Sequence, residues 1–216
     1  MFHALYVVGT NGCAVRRLTR SGAGSPSWSP DGRWIAFDTS GEGVIWKVHP
    51  DGTGLTRIVG SMRADTDSSP AWSPNGKTIA FVHHHRGRGQ VWVVSEDGRA
   101  ARPLRADAQA SDESPRWSPD GTRIAFVVLT GRGSSIEVMN ANGSSVHALT
   151  KASGAAWNPV WLPGDAGIAF LAGVSRGAGK GSIDVMRPDG TDLRRITRWE
   201  TEQFAWADAP LPRPGC

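Results

Sequence analysis

Long apolar runs are missing from this chain. No segment approaches the ~20 apolar residues that a membrane helix needs. The N-terminus, MFHALYVVGTNG, has neither a basic n-region nor an apolar stretch long enough for a signal peptide. The expectation is a soluble chain without an export address. Cysteine is scarce: Cys13 and Cys216 are the only two, too few for a disulfide framework or a cysteine-based metal centre. They stand near opposite ends, so a single staple between them would require the termini to meet. Helical spacing of apolar residues is absent, and 27 Gly and 14 Pro would break a helix after about two turns. Runs of one charge sign are absent too. The net charge is +4 and the pI about 9.6, but acids and bases are interspersed, so an anionic partner is permitted without a polybasic segment to demand one.

What the chain does have is ten Trp, and half of them recur on a period. WSPDGRWIAF from Trp28 returns as WSPNGKTIAF from Trp72, WSPDGTRIAF from Trp117 and, more loosely, WLPGDAGIAF from Trp161. These Trp are 44, 45 and 44 residues apart, and Trp206 follows 45 later. A second series keeps the same phase: LYVV from Leu5, IWKV from Ile45, VWVV from Val91, IEVM from Ile136 and IDVM from Ile183. Each is followed by an Asn-Gly or Asp-Gly pair, at Asn11, Asp51, Asp97, Asn142 and Asp189. Such pairs tolerate the positive φ of a tight hairpin turn, and Ser-Pro-Asp-Gly between Trp28 and Ile35 supplies a second hairpin.

Each unit therefore reads as four short strands, in unit one around Ser27-Trp28, then Trp34 to Asp38, Val44 to Val48 and Leu55 to Val59. Four-stranded units of ~40 to 45 residues are the signature of propeller blades. Strands buried on both faces should be apolar on both sides, as VWVV and LYVV are. In Ile-Ala-Phe, Ile and Phe point one way and the small Ala the other, which leaves room for a neighbouring blade. The expected fold is an all-β propeller with four complete blades, at about 26–60, 70–105, 115–150 and 159–198. Partial strands flank them, at 4–19 and 203–207. A single domain over 1–209 would then precede a Pro-rich tail, 210–216.

The pattern P-x-W-S-P-D-G-x-x-I-A-F, then an aliphatic-aromatic strand, D-G and a closing L-T, resembles the WD-like propeller repeat of the TolB family. Pro26, Pro70, Pro115 and Pro159 each stand two before a Trp, and Leu18-Thr19, Leu149-Thr150 and Ile196-Thr197 close units. Unit four departs from it, with Leu162-Pro163-Gly164-Asp165 at the first turn. Propellers of this family usually have six blades, which implies a piece of a longer propeller rather than a smaller, defective ring. The resemblance also suggests the periplasm or cell surface, against the missing signal. Similar propellers accompany prolyl oligopeptidase-like peptidases and occur in polysaccharide lyases.

Function is expected in the loops that do not repeat, namely the second-to-third-strand loops and the connections between units, which share one face. Basic groups there are Arg86, Arg88, Arg132, Arg176 and Lys180; acidic ones are Asp65, Asp67, Asp107, Asp112 and Glu113. The basic groups suit phosphate, carboxylate or an acidic protein surface, with the acidic groups forming a ring near the channel and the basic groups further out, or the charges simply keep solvated loops soluble. His83-His84-His85 looks like a metal site, but adjacent strand residues alternate, so only His83 and His85 could converge, and no acid or Cys is close in sequence. No metal or cofactor is expected. Gly173-Val174-Ser175-Arg176-Gly177 lacks the strand-turn-helix of a nucleophile elbow, and Gly177 to Gly181 lacks the Ser or Thr of a P-loop. The outer-strand arginines are spread around the rim and no nucleic-acid module is present, which argues against nucleic acid. The leading expectation is a non-catalytic propeller that docks a protein or peptide, and the runner-up is an accessory propeller of a larger enzyme.

Overall fold

The computed structural model describes residues 4–20, 22–39, 41–60, 65–105, 110–173 and 180–200. Among them the chain forms a two-stranded sheet followed by four antiparallel four-stranded sheets, each with its strands side by side in chain order. The small sheet pairs β1 (Tyr6–Val7) with β2 (Arg16–Arg17). Blade one holds β3 (Ala23–Trp28), β4 (Ile35–Thr39), β5 (Val44–Val48) and β6 (Thr56–Val59). Blade two holds β7 (Thr66–Trp72), β8 (Thr78–His85), β9 (Arg88–Ser95) and β10 (Arg102–Pro103). Blade three holds β11 (Ser111–Trp117), β12 (Arg123–Thr130), β13 (Gly133–Asn140) and β14 (His147–Ala148). Blade four holds β15 (Ala156–Trp161), β16 (Ile168–Ala172), β17 (Lys180–Met186) and β18 (Arg194–Glu200). The expected strand at 203–207 and the tail with Cys216 lie outside the described residues.

The repeated Ser-Pro-Asp-Gly builds a turn that satisfies its own backbone. The Ser29 hydroxyl donates to Asp31 Oδ1 at 2.6 Å and accepts from the Trp34 amide at 2.9 Å, while Gly32 N–H donates to Ser29 O at 2.9 Å. Ser73 with Asn75 and Ser118 with Asp120 repeat the arrangement. Blade four lacks that hydroxyl. There a single 3-10 turn, Pro163–Asp165, bridges the strands, and the Leu162 amide still reaches Gly167 O at 2.9 Å, so the seven-residue step from Trp161 to Ile168 survives.

First strands of successive blades touch one another, β3 on β7, β7 on β11 and β11 on β15, so they form the inner edge of the row. Each carries a break in register just before its proline, and the residue at the break has positive φ: Ser25, Ser69, Ser114 and Asn158. Proline has no N–H to give to the ladder, and a bulge absorbs the missing bond.

Between blades the packing obeys one rule. The Ala face of one blade, such as Ala36, Ile45 and Ile58, meets the Ile-Phe face of the next, here Trp72, Ile79, Phe81 and Val94. Blades two and three, and three and four, repeat it. The inner-edge Trp bridges blades as well: Trp117 Nε1–H donates to Ala71 O and Trp161 Nε1–H to Arg116 O, each at 3.1 Å. Trp28 differs from its counterparts. It is 50 % exposed where Trp72 and Trp161 are 7 % and 8 %, because the sheet before it has only β1 and β2 among the described residues and offers no inner strand to cover the indole. At the other end Ile183 is 37 % exposed, whereas its counterparts Ile45, Val91 and Ile136 are fully buried by the blade that follows each of them.

Candidate functional site

The two ends of the inner edge differ in kind. At one end the Ser-Pro turns converge: a hollow of about 360 Å³ is walled by the repeat residues Trp28, Trp72, Trp117 and Trp161 with Pro30, Pro74 and Pro119, and by the variable residue before each Trp, among them Arg116 and Val160. At the opposite end, between blades one and two, a depression of about 430 Å³ is lined largely by residues that do not repeat, among them Asp38, Thr39, Thr66, Ser68 and His84, together with Asp67, whose place Asp112 takes in blade three. It lies where the second-to-third-strand loops meet the connection between units, the face on which sequence reasoning places function.

The backbone of this depression is tightly constrained. The Asp67 amide donates to Gly43 O at 2.9 Å, joining the β4–β5 loop to the start of β7. Gly43 has φ 60°, and a Cβ there would run into Thr66 Cβ, so only glycine lets the two segments touch. On β7, the Ser69 amide donates to Asp38 Oδ2 at 2.8 Å, a side-chain bond from blade one to the bulge of blade two.

The three histidines are not a loop. They form the end of β8, and the turn to β9 is only Arg86-Gly87. Register sets Asp67 opposite His83 and Thr66 opposite His84. His83 Nδ1 lies 2.7 Å from Asp67 Oδ1 and His85 Nδ1 lies 2.9 Å from Asp65 Oδ1, while His84, on the other face, bonds the Ser68 hydroxyl through Nε2 at 2.9 Å. The alternation expected of a strand is therefore present, and His83 and His85 do share a face. What sequence spacing missed is the acids: they are 16 and 20 residues away along the chain yet adjacent across the ladder. The signal was available, because the Ser-Pro-Asn-Gly hairpin pairs Trp72 with Ile79, and counting back through the bulge brings Asp67 to His83. Among the described residues no group of three or more His, Cys, Asp or Glu side chains is arranged to hold a metal ion.

Burial pushes the Asp67 carboxyl above its usual range, and the hydrogen bond and charge of His83 pull it back. Burial pushes His84 down, so its imidazole is neutral at physiological pH; the Asp67 charge opposes that shift.

The other expected residues fall into three groups. Arg86, Arg88 and Arg132 are exposed, the first and last in the turns after β8 and β12 and Arg88 at the start of β9. Asp112 and Glu113 belong to β11, not to a connecting loop, and Asp112 is buried: Arg105 Nη1 lies 3.1 Å from Asp112 Oδ1 and 3.3 Å from Glu137 Oε2, and the Val91 amide reaches Asp112 Oδ2 at 3.4 Å. That carboxylate ties blade two to blade three. Asp107 and Arg176 lie outside the described residues; Lys180 begins β17, and its side chain lies outside them too.

Four-stranded sheets in series, packed face to face with their first strands inward, define a β-propeller. Residues 61–208 match the model of the TolB beta propeller domain, and the chain belongs to that family. Among solved structures it resembles TolB from Acinetobacter baumannii, with a TM-score of 0.76 and 18 % identity over 93 % of this chain and 50 % of that one. It also resembles an oligogalacturonate lyase from Vibrio parahaemolyticus, with a TM-score of 0.67 and 12 % identity over 90 % of this chain and 58 % of that one. At these identities the likeness is one of fold. A stretch of 42 residues is 48 % identical to the uncharacterized protein Atu1656 of Agrobacterium fabrum, covering 18 % of this chain and 14 % of that protein. The chain thus spans half the length of the solved TolB and a small part of the curated relative.

Proposed function

We propose that this propeller is a non-catalytic docking module that receives a protein or peptide on the face carrying the second-to-third-strand loops. The observation that carries the reading is the contrast between the two ends of the inner edge. One is walled mostly by the Trp, Ser and Pro that the repeat dictates, while the other opens on Asp38, Thr66 and His84, which it does not dictate. Residues released from the packing rule at a rigid, concave end are where a binding surface belongs. Arg86 and Arg88 are exposed and stand on either side of Gly87, which lines that depression, and Arg132 occupies the corresponding turn of the next blade. They suit carboxylates on the partner, which a guanidinium holds in two-pronged fashion.

The experiment uses the whole chain as immobilised bait against lysate, in parallel with an R86E/R88E/R132E variant. Docking on this face predicts partners captured by the parent and lost by the variant at low salt. A variant that retains every partner overturns the choice of face. Likeness to a lyase, being one of fold, adds nothing to an accessory role within an enzyme.

A further inference from the structure

The residue after Ile-Ala-Phe breaks the packing rule in one blade. Blades two, three and four place Val82, Val127 and Leu171 there, and the two valines are fully buried between sheets. Blade one places Asp38 in the same slot, 9 % exposed. An ionised carboxylate in a slot that the other blades fill with an aliphatic side chain is costly unless it is partnered by charge. Asp38 has no such partner: among the described residues no Lys, Arg or His forms an ion pair with it, and its interaction partner is the Ser69 amide on Oδ2.

A second departure accompanies the first. The residue opposite Asp38 on the neighbouring strand is Gly24, where the other blades have Ser68, Glu113 and Trp157. A Cβ at Gly24 would stand 2.7 Å from Asp38 Oδ1, so the glycine leaves space for that oxygen. Two linked exceptions to a repeat, one inserting a charge and the other making room for it, are a mark of function rather than of packing.

We propose that the depression between blades one and two is a subsite for a cationic group, an ammonium or guanidinium carried by the docking ligand, with the Asp38 carboxylate as its counter-charge. The subsite rests on the docking reading for its context. Thr66 and Ser68 hydroxyls and the Asp67 carboxylate line the same depression and supply acceptors for the remaining N–H groups of such a cation. His84 adds no competing positive charge, because burial keeps its imidazole neutral. The volume, about 430 Å³, accommodates the stem of a Lys or Arg side chain, which packs its methylenes while its head reaches an acid. The partner segment is then one of mixed charge, its basic residue in the depression and its acidic residues on Arg86 and Arg88.

The test titrates the isotope-labelled full chain with the N-acetyl amides of lysine, arginine, leucine and glutamate, followed by amide NMR shifts. Lysine or arginine amide at millimolar concentrations is expected to give saturable shifts at Thr66, Ser68 and Ser69, with leucine and glutamate amides silent. D38N keeps an oxygen for the Ser69 amide but loses the charge, and is expected to weaken the cationic probes at least about tenfold, one charge-assisted bond's worth, with a thermal midpoint no lower than the parent's. D38V, which installs the residue of the other blades, is expected to abolish binding and remain folded. Equal binding by D38N and the parent, equal response to the leucine amide, or silence from both cationic probes overturns the proposal. The subsite is read on Asp38 with small probes and docking on the loop arginines with captured proteins, so either fails without the other.

Discussion

Ile136 and Ile183 occupy the same position in blades three and four, so truncating each to alanine measures what a following blade contributes. Ile136 has no exposed surface, and the side chains that cover it include Ala156, Ile168 and Phe170 of blade four. Ile183 is 37 % exposed on the corresponding face. Ile to Ala removes three carbons, worth about 0.8 kcal/mol each when buried, or about 2.4 kcal/mol together, and the cavity left between two rigid sheets raises the loss at Ile136 to about 3 to 4 kcal/mol. At Ile183 roughly two-thirds of that transfer term applies, and no closed cavity forms, so the loss is about 1 to 1.5 kcal/mol. With an m-value of about 3 kcal/mol/M in urea, I136A lowers the unfolding midpoint by about 1 M and I183A by less than half as much. Far-UV circular dichroism through a urea series reads both. Equal midpoint shifts would refute the reasoning, since they would mean that burial on this face does not come from the neighbouring blade.

Three further outcomes follow from side-chain detail. W117F and W161F each leave a backbone carbonyl without its indole donor and are expected to cost about 1 to 3 kcal/mol in urea unfolding. W72F is the internal control, because the Trp72 Nε1–H is buried without a hydrogen-bond partner in the structure; a loss as large as at Trp117 would contradict the assignment. The Asp120 carboxyl, bonded by the Ser118 and Thr122 hydroxyls, titrates at about 2 instead of 3.8. Its contribution to stability is therefore present above pH 3.8 and is lost as pH falls toward 2. In S118A the carboxyl resonance should titrate nearer 3.8, and an unchanged titration would remove the hydroxyl as the cause. At Asp67 the sign is opposite: burial raises its pKa and His83 lowers it, so H83A should move the titration upward, and a downward shift would show the imidazole acting otherwise.

The series of four-stranded sheets was legible because the turns that set it are local. A Ser-Pro-Asp-Gly turn closes on its own hydroxyl and carboxylate, so it needs no distant partner, and the Asn-Gly and Asp-Gly turns are equally self-contained. The Ile-Ala-Phe wedge was legible for a related reason: the same two faces meet at every junction, so one junction read correctly predicts the rest. Trp28 shows where that reasoning stops. Its sequence context is the same as that of Trp72 and Trp117, and its exposure is decided by whether an inner strand precedes it, which no local pattern records.

The candidate site was only half legible, and the missing half is cross-strand. Arg86, Arg88 and Arg132 were singled out because charge in or beside a non-repeating hairpin turn stands out against the repeat. Asp112 was singled out by the same rule, yet it is a buried tie to Arg105, since acidic residues at the start of an inner strand point between blades as readily as toward solvent. Asp65 and Asp67 were found but not their histidines as partners, because pairing depends on register through a bulge that the sequence marks only by Ser69-Pro70. Asp38 was overlooked inside a strand assigned to the core. It was nevertheless the most informative residue available: in a chain whose repeats agree on an aliphatic side chain at that slot, a lone carboxylate opposite a lone glycine is a departure that burial alone would select against. In repeat proteins the search for function therefore belongs inside the repeat as much as in its loops, at positions where one unit breaks a packing rule that the others obey.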